Sequence, residues 1–571
     1  MTISDRTDEL LRALTVLRER VAALRFPLEL EDVASARRGR REVVAQLDDY
    51  VLPRIVSLDA PLLAVVGGST GAGKSTLVNA IVGRQVSQTG VLRPTTRAPV
   101  LACHPSDVDW FSTDRILPDL VRREPEHSAG PGELYLITDD AVPRGLALLD
   151  APDVDSVVAE NRTLSAQLLA AADLWIFVTT AARYADAVPW DLLSDAAQRS
   201  AAVAIVLDRV APDAVPEVRH HLATMLDRRG LGDSPMFIVA ETPLAQDRML
   251  PAEQVEHLVS WLHGLSASGD ERTEIVARTL DGAIGNLIRR TPPLAAASDL
   301  QAATGEHLRT LAVTAHDDAL VAIDRASRDG SLLRGEVLAR WQDFVGTGEF
   351  YRSLEEKVGK LRDRIGAYLH GKAQPAEAVE EAIGHGLEAL FVGEADAAAE
   401  RVATSWQADI AGKVLLGKDD LTRASDDLAG RAAQEIADWQ SAVFEMVKSE
   451  GQDRKFTARF LSFGLNGIGV ALMVVVFAST GGLTGAEIGI AGGTAVVGQK
   501  LLEAIFGDEA VRRMAESARK DLNHRAEMLL GGELVRFTDR IDVLAIEPNS
   551  SAGVRQSLAD VERSRWLERE L

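Results

Sequence analysis

The stretch GSTGAGKST, Gly68 to Thr76, restricts what this chain can fold into more than any other. It follows an apolar run, Leu62 to Val66, and precedes another, Leu77 to Val82, of helical character. The order is strand, glycine-rich loop, helix, with the spacing G-x-x-x-x-G-K-[ST]. Gly68, Gly71 and Gly73 permit turns that other residues resist, so successive N–H groups can face phosphate oxygens. The helix opening near Lys74 turns its positive end toward the same anion. In such a loop Ser69, Thr70, Gly71, Ala72, Gly73, Lys74, Ser75 and Thr76 wrap the phosphates. Lys74 neutralises the β- and γ-phosphates, and the Ser75 hydroxyl takes a Mg²⁺ position. The expected ligand is a nucleoside triphosphate.

The surrounding pattern matches a parallel sheet. Short apolar runs at 62–66, 98–102, 146–150, 174–179, 202–208 and 236–240 are of the kind buried on both faces. Helical patterns at 157–172 and 252–265 follow or separate them. Residues 61–265 therefore read as a doubly wound α/β domain, with the glycine loop at the carboxyl end of its first strand.

The rest reads as helix. With 571 residues the chain is too long for one core. In 1–60, Leu10, Leu14, Leu17, Val21 and Leu24 form one stripe. A second helical stretch carries Arg37, Arg38, Arg40 and Arg41, read as a solvated face, and Pro53 as a kink. Residues 266–455 form a helical trunk, punctuated by Pro292–Pro293 and Pro375, which the two N-terminal helices are expected to join. Residues 507–571 return to charged helix.

Between them, 456–506 holds an uncharged run from Phe460 to Ala486, rich in glycine, with Arg454, Lys455 and Arg459 just ahead of it. Its length suits a hydrocarbon core, and its basic flank suits anionic headgroups. The expectation is a hydrophobic tip at 460–500 that meets a lipid bilayer, as a hairpin dipping into one leaflet or as two short spans rather than as one straight helix. The competing expectation is a hairpin buried in a soluble core. A net charge of −23 argues against nucleic acid as the main partner. One cysteine, Cys103, fits a reducing compartment. No secretory signal is read in the charged stretch MTISDRTDELLRAL.

Three further positions bear on the nucleotide. Thr95 or Thr96, in the segment Val91 to Pro99, lies where a switch threonine would close on Mg²⁺ and the γ-phosphate. Asp150 ends an apolar strand and suits a hard cation that keeps its waters. Asp208 and Arg209 follow the strand 203–207 where a base is read; Arg209 would lie over the ring. Ala211 stands where a base-reading carboxylate belongs. Val239-Ala240-Glu241 is a weak candidate for a last base-side loop. The pairs His220–His221 and Cys103–His104 read as structural, and the scattered tryptophans as packing.

VVGGSTGAGKSTLVNAIVGR, followed by Thr96-Arg97-Ala98-Pro99, is similar to the start of dynamin-like GTPases. The resemblance implies an α/β P-loop GTPase domain plus a long all-α helical bundle with a hydrophobic membrane-interacting tip. It implies GTP and Mg²⁺ as cofactors, Thr96 as the switch threonine, and Lys74 and Thr96 as the catalytic pair. Ser75, Thr96 and Asp150 would serve the metal. It further implies a cytoplasmic protein, peripheral or hairpin-inserted at the inner face of the cell membrane. Self-association, or pairing with a related GTPase, is expected as well. The chain departs from the family at Thr70 and Gly71, where a Gln–Ser pair is usual, at Asp153, where a glycine is usual, and at Ala211. An apolar residue, Val154, follows Asp153. Arg84, Arg93 or Arg97, or a partner chain, would supply charge for hydrolysis. Two other readings are a nucleotide-binding scaffold with little hydrolysis, and a P-loop ATPase with a helical arm.

Overall fold

The computed structural model describes residues 3–87, 98–113, 115–123, 132–156, 159–185, 190, 193–194, 196–197, 201–242, 249–333, 335–345, 373–452, 465–478, 498–500, 502–503 and 505–569. The elements run α1 (Ile3–Ala23), α2 (Val33–Gln46), α3 (Leu52–Val56), β1 (Leu62–Gly68), α4 (Lys74–Val82), β2 (Val100–Cys103), α5 (Val108–Phe111), β3 (Val121–Arg123), β4 (Glu133–Thr138), β5 (Leu146–Asp150) and α6 (Ala159–Ala170). They continue as β6 (Leu174–Thr180), β7 (Ala202–Val210), α7 (Val215–Asp227), β8 (Met236–Ala240), α8 (Ala252–Ala267), α9 (Gly269–Ala326), α10 (Glu336–Val345), α11 (Ala373–Gln407), α12 (Ile410–Leu416), α13 (Leu428–Gln452), α14 (Leu465–Ala478), α15 (Asp508–Asp542) and α16 (Ser550–Arg569).

Contacts divide the chain into two units: 1–26, 32–300 and 547–571 form the first, and 27–31 with 301–546 the second. The first holds an eight-stranded sheet in the order β3-β4-β2-β5-β1-β6-β7-β8. All neighbours are parallel except β2 and β5. All seven residues of β1 are buried, as the continuous apolar run predicts. Side-chain alternation splits them between two cores. Leu63 and Val65 pack with Leu168 of α6 and Leu222 of α7. Leu62, Ala64 and Val66 face Leu77 of α4 and Leu258 of α8. Helices thus cover both faces, and β1 delivers the glycine loop at mid-sheet.

The five-leucine-and-valine stripe of α1 is buried, with Leu14, Leu17, Val21 and Leu24 fully inaccessible. It packs on α16 from the far end of the sequence. A π-helical turn, Leu47–Val51, precedes Pro53, where a kink was expected. Pro292–Pro293 does not break α9, which runs helical through it. Both prolines are exposed, while Leu287, Leu294 and Ala295 are buried beside them. Packing of that face outweighs the lost backbone donors. Pro375 falls in the first turn of α11, where a missing N–H is tolerated.

Among the described residues the regular elements of the second unit are all helical, around one core. Trp406 donates from its ring nitrogen to the Leu308 carbonyl at 3.1 Å, and Trp439 to that of Ala518 at 2.8 Å. These tryptophans are packing residues whose polar edge is satisfied. Part of the uncharged run lies in this core. Residues 468 and 470–477 of α14 are 0–2% exposed, and α14 packs on α11, α13 and α15. A Cβ at Gly469 would overlap the Phe444 ring, so this glycine serves close helix approach. Residues 456–464 and 479–497 of the expected tip lie outside the described residues. No helix among the described residues is long and apolar enough to cross a membrane.

Candidate nucleotide site

The loop between β1 and α4 is shaped by positions only glycine can fill. Gly73 has φ +95°, and a Cβ there would run into the Asp208 carboxylate. At Gly68 a Cβ would overlap the Val178 carbonyl of β6. The loop therefore sits tight against the ends of β6 and β7, with its backbone free to approach a ligand.

Lys74 is 5% exposed and donates to the carbonyls of Gly68 at 3.0 Å and Ser69 at 3.1 Å. It also forms an ion pair with Asp153. Asp153 thus faces the phosphate loop lysine, at the position where the resemblance anticipates a glycine. Ser75 Oγ donates to Asp150 Oδ2 at 2.6 Å, and Ser87 Oγ to the same oxygen at 2.5 Å. Asp150 is fully buried and its Oδ1 has no partner. Burial raises its pKa, against the pull of the two hydroxyls and of Lys74. A second orphaned atom, the buried Ser69 Oγ, lies in the same loop. A serine hydroxyl beside a buried carboxylate with a bare oxygen is a donor set that fits Mg²⁺, which takes hard oxygen ligands. No cluster of three or more His, Cys, Asp or Glu suited to a metal is found among the described residues.

Ser87 reaches Asp150 because α4 ties down the segment after it. Asn79 Oδ1 accepts from the backbone N–H of Val86 and of Ser87, both at 2.8 Å, and its amide donates to the Ser87 carbonyl at 2.9 Å. Thr95, Thr96, Arg93 and Arg97 follow ten or so residues on and lie outside the described residues. Arg84 is paired with Asp139 and donates to the Thr138 carbonyl at 3.2 Å. It is engaged with the β4 side of the sheet.

The base-side residues come from an irregularity in β7. Its pairing with β8 shifts between Leu207 and Val210, and Arg209 has φ +56°. Such a bulge re-aims side chains. Asp208 turns to Gly73, 9% exposed, its pKa raised by burial. Arg209 is exposed, and its N–H donates to Asp208 Oδ1 at 2.9 Å. Thr70, Gly71 and Ala72 lie in the loop and Thr76 in the first turn of α4.

Besides Ser87, two residues of this neighbourhood escaped the sequence reading. Asp155 Oδ1 accepts from the Thr70 N–H at 2.5 Å and from Thr70 Oγ1 at 2.7 Å. Arg183 donates to the Thr70 carbonyl at 2.9 Å and to Asp155 Oδ2 at 3.2 Å. Burial would lift the Asp155 pKa, but the two Thr70 hydrogen bonds and the Arg183 charge hold it below its ordinary value. The only sequence signal was the acid spacing in Asp150-Ala151-Pro152-Asp153-Val154-Asp155. Cys103 is buried and its thiol is pushed up to about 12, chiefly by burial, so it offers no thiolate. His221 Nδ1 lies 2.7 Å from the Tyr184 hydroxyl, a structural contact.

No protein-family model matches the chain. Among curated proteins it is 26% identical over 133 residues to "Probable transmembrane GTPase FZO-like, chloroplastic" of Arabidopsis thaliana. The likeness is to a GTPase. The match covers 23% of this chain and 13% of that relative's length. Among solved structures, a chain of an oligomerised bacterial dynamin pair described as sensing and tethering membranes is 10% identical, with a TM-score of 0.36, covering 98% of this chain and 95% of that one. The bacterial dynamin GTPase LeoA from ETEC is 11% identical, with a TM-score of 0.24, covering 99% and 97%.

Proposed function

We propose that this chain is a dynamin-like GTPase that binds GTP with Mg²⁺ and couples its turnover to membrane binding or remodelling. The observation that carries the reading is the set Lys74, Ser75 and Asp150 gathered at one loop, with an unpartnered carboxylate oxygen beside the serine hydroxyl. Lys74 would hold the β- and γ-phosphates, and the glycine-loop N–H groups would cradle them. Ser75 and Asp150 would hold the metal, Asp150 through water. Bound Mg²⁺ supplies charge neutralisation across the transferring phosphoryl group. Thr96 would complete the switch, and Asp208 and Arg209 would border the base. Asp155 and Arg183 would act as positioning residues that fix the loop at Thr70.

The test is turnover of GTP by the purified full chain with Mg²⁺, against Lys74→Ala and against competing ATP. Loss of turnover in the variant with GTP preferred supports the reading. Turnover equal to that of the variant would favour the second reading, a scaffold with little hydrolysis. The Lys74–Asp153 pair is the observation behind that second reading, because it occupies the group that phosphate needs.

The membrane role is assigned to 460–500, at the inner face of the cell membrane, with the protein acting as an oligomer or paired with a related GTPase. The α14 part of that segment is sheltered in the helical core, so lipid contact by that part requires its release. Flotation with anionic liposomes, of the full chain against one lacking 460–500, tests this. Equal flotation would remove the segment from the membrane role.

A further inference from the structure

A cleft of about 1080 Å³ opens in the first unit and shares no lining residue with the phosphate loop. Helices α2, α6 and α9 supply most of its wall. From α2 come Arg38, Arg41 and Ala45, at helical spacing on one face. From α6 come Arg162 and Ala166, and from α9 come Asn286 and Arg289. Ala45, Ala166 and Ala170 line it with small side chains.

Two features mark the cleft as a binding site. Gln46, in its lining, is 3% exposed, and neither its amide nitrogen nor its amide oxygen has a hydrogen-bond partner. The contrast within the same protein is Gln301, 1% exposed, whose amide accepts from Leu28 N–H at 2.8 Å and donates to Leu28 carbonyl at 2.9 Å. Buried amides are ordinarily satisfied in that way. The second feature is the charge balance. Arg38 and Arg41 are exposed and have no hydrogen bond or ion pair with any described residue. The carboxylates of the cleft are mostly engaged: Glu42 with Arg290, Asp48 with Arg18, and Asp49 with the Gln167 amide. Asp119 is the remaining acid in the lining. Two unengaged guanidinium groups one helical turn apart suit the tetrahedral oxygens of phosphate, where a carboxylate would use one fork.

We propose that this cleft binds an organic phosphate, its phosphate on Arg38 and Arg41 and an uncharged hydrogen-bonding body on the Gln46 amide. The ligand is either a free metabolite or the headgroup of a phosphate-bearing lipid. This site goes beyond the nucleotide reading and does not depend on it.

The test uses the full chain carrying Lys74→Ala, so that the phosphate loop does not report. One arm titrates fructose 1,6-bisphosphate by calorimetry at physiological salt, which screens diffuse attraction. The other measures flotation on phosphatidylcholine vesicles containing phosphatidic acid. Arg38→Ala with Arg41→Ala is expected to weaken one arm at least tenfold, and the arm affected names the source. Gln46→Leu is expected to weaken the sugar phosphate arm severalfold. Absence of saturable binding in both arms, or binding indifferent to the arginine pair, overturns the proposal. Both arginines are exposed, so the pair variant keeps its fold, which a thermal melt verifies; it decides the matter even where Gln46→Leu does not fold.

Discussion

At the residue scale, Asp153 is the position with most leverage on the nucleotide. Its carboxylate pairs with Lys74, the group a triphosphate must recruit. The pair is largely shielded from water, with side chains 5% and 19% exposed. Hydrogen bonds to charged groups are worth about 1.5–3 kcal/mol. Asp153→Gly should free Lys74 and remove a negative charge beside the phosphates, strengthening GTP binding about tenfold or more. Titration of a fluorescent GTP analogue measures this, and an unchanged affinity would mean that Asp153 swings away at no cost. Asp49 is a second residue with a clear sign. Burial raises its pKa to about 6 despite the Gln167 hydrogen bond. A raised carboxyl contributes stability below its unfolded value that is lost as pH rises through the folded one. Asp49→Asn should therefore stabilise the chain at pH 8, by roughly 1–3 kcal/mol, and leave it unchanged at pH 3.5. Parallel thermal melts of both proteins at the two values check it. Residues such as Asp153 were legible because the glycine motif fixes their distance from a strand end. Arg183 and Ser87 were not, because topology brings them to the site from separate elements and no local spacing records that, while Asp155 left only the acid spacing of 150–155.

At the element scale, five of the six strands that were legible are buried along almost their whole length, and the sixth, β8, at the sheet edge, was legible from its apolar run although only Val239 in it is buried. The unbroken apolar runs of those five are the direct imprint of a central parallel strand. β3, at the sheet edge, and β4, beside it, were missed because neither is an apolar run. β3 is three residues, Val121 to Arg123, with no buried position, and β4 is half-exposed. Neither needs an apolar run. In α9 the sequence pointed the other way, since two prolines read as a break and burial of the opposite face kept the helix. The join between α3 and the sheet is another feature set by three-dimensional contact. Arg54 is 3% exposed on its side chain and pairs with the fully buried Asp173. Arg54 also donates to the carbonyls of Ala60 at 3.2 Å and Pro61 at 2.6 Å, and Asp173 accepts from Leu63 N–H at 2.7 Å. Removing one partner leaves a buried charge uncompensated, which costs about 3–5 kcal/mol. Arg54→Ala should loosen the starts of β1 and β6 first. Hydrogen exchange over 62–68 and 174–180 should rise, and protection equal to the parent would exclude this clamp.

At the scale of the molecule, the first unit is built from both ends of the sequence. The apolar stripe of α1 was legible from its spacing, but its partner was not. α16 carries few apolar residues, and those that are buried, Val554, Leu558 and Val561, look unremarkable in a charged helix. Contact between residues more than 500 positions apart leaves no local trace. Polar anchors add to it. Arg565 donates to Asp281 Oδ1 at 2.7 Å and to its carbonyl at 2.9 Å, and Arg555 pairs with Asp299, so α16 is also tied to α9. Removing 547–571 would uncover the stripe of α1, each of whose leucines and valines gains about 1.5–3 kcal/mol from full burial. The truncated chain should melt at least several degrees lower and self-associate through α1, since an unpaired apolar stripe is an aggregation surface. Adding the 547–571 peptide in trans should restore the melt in proportion to its occupancy. A truncated chain that melts with the parent and stays monodisperse would show that α16 merely rests on α1.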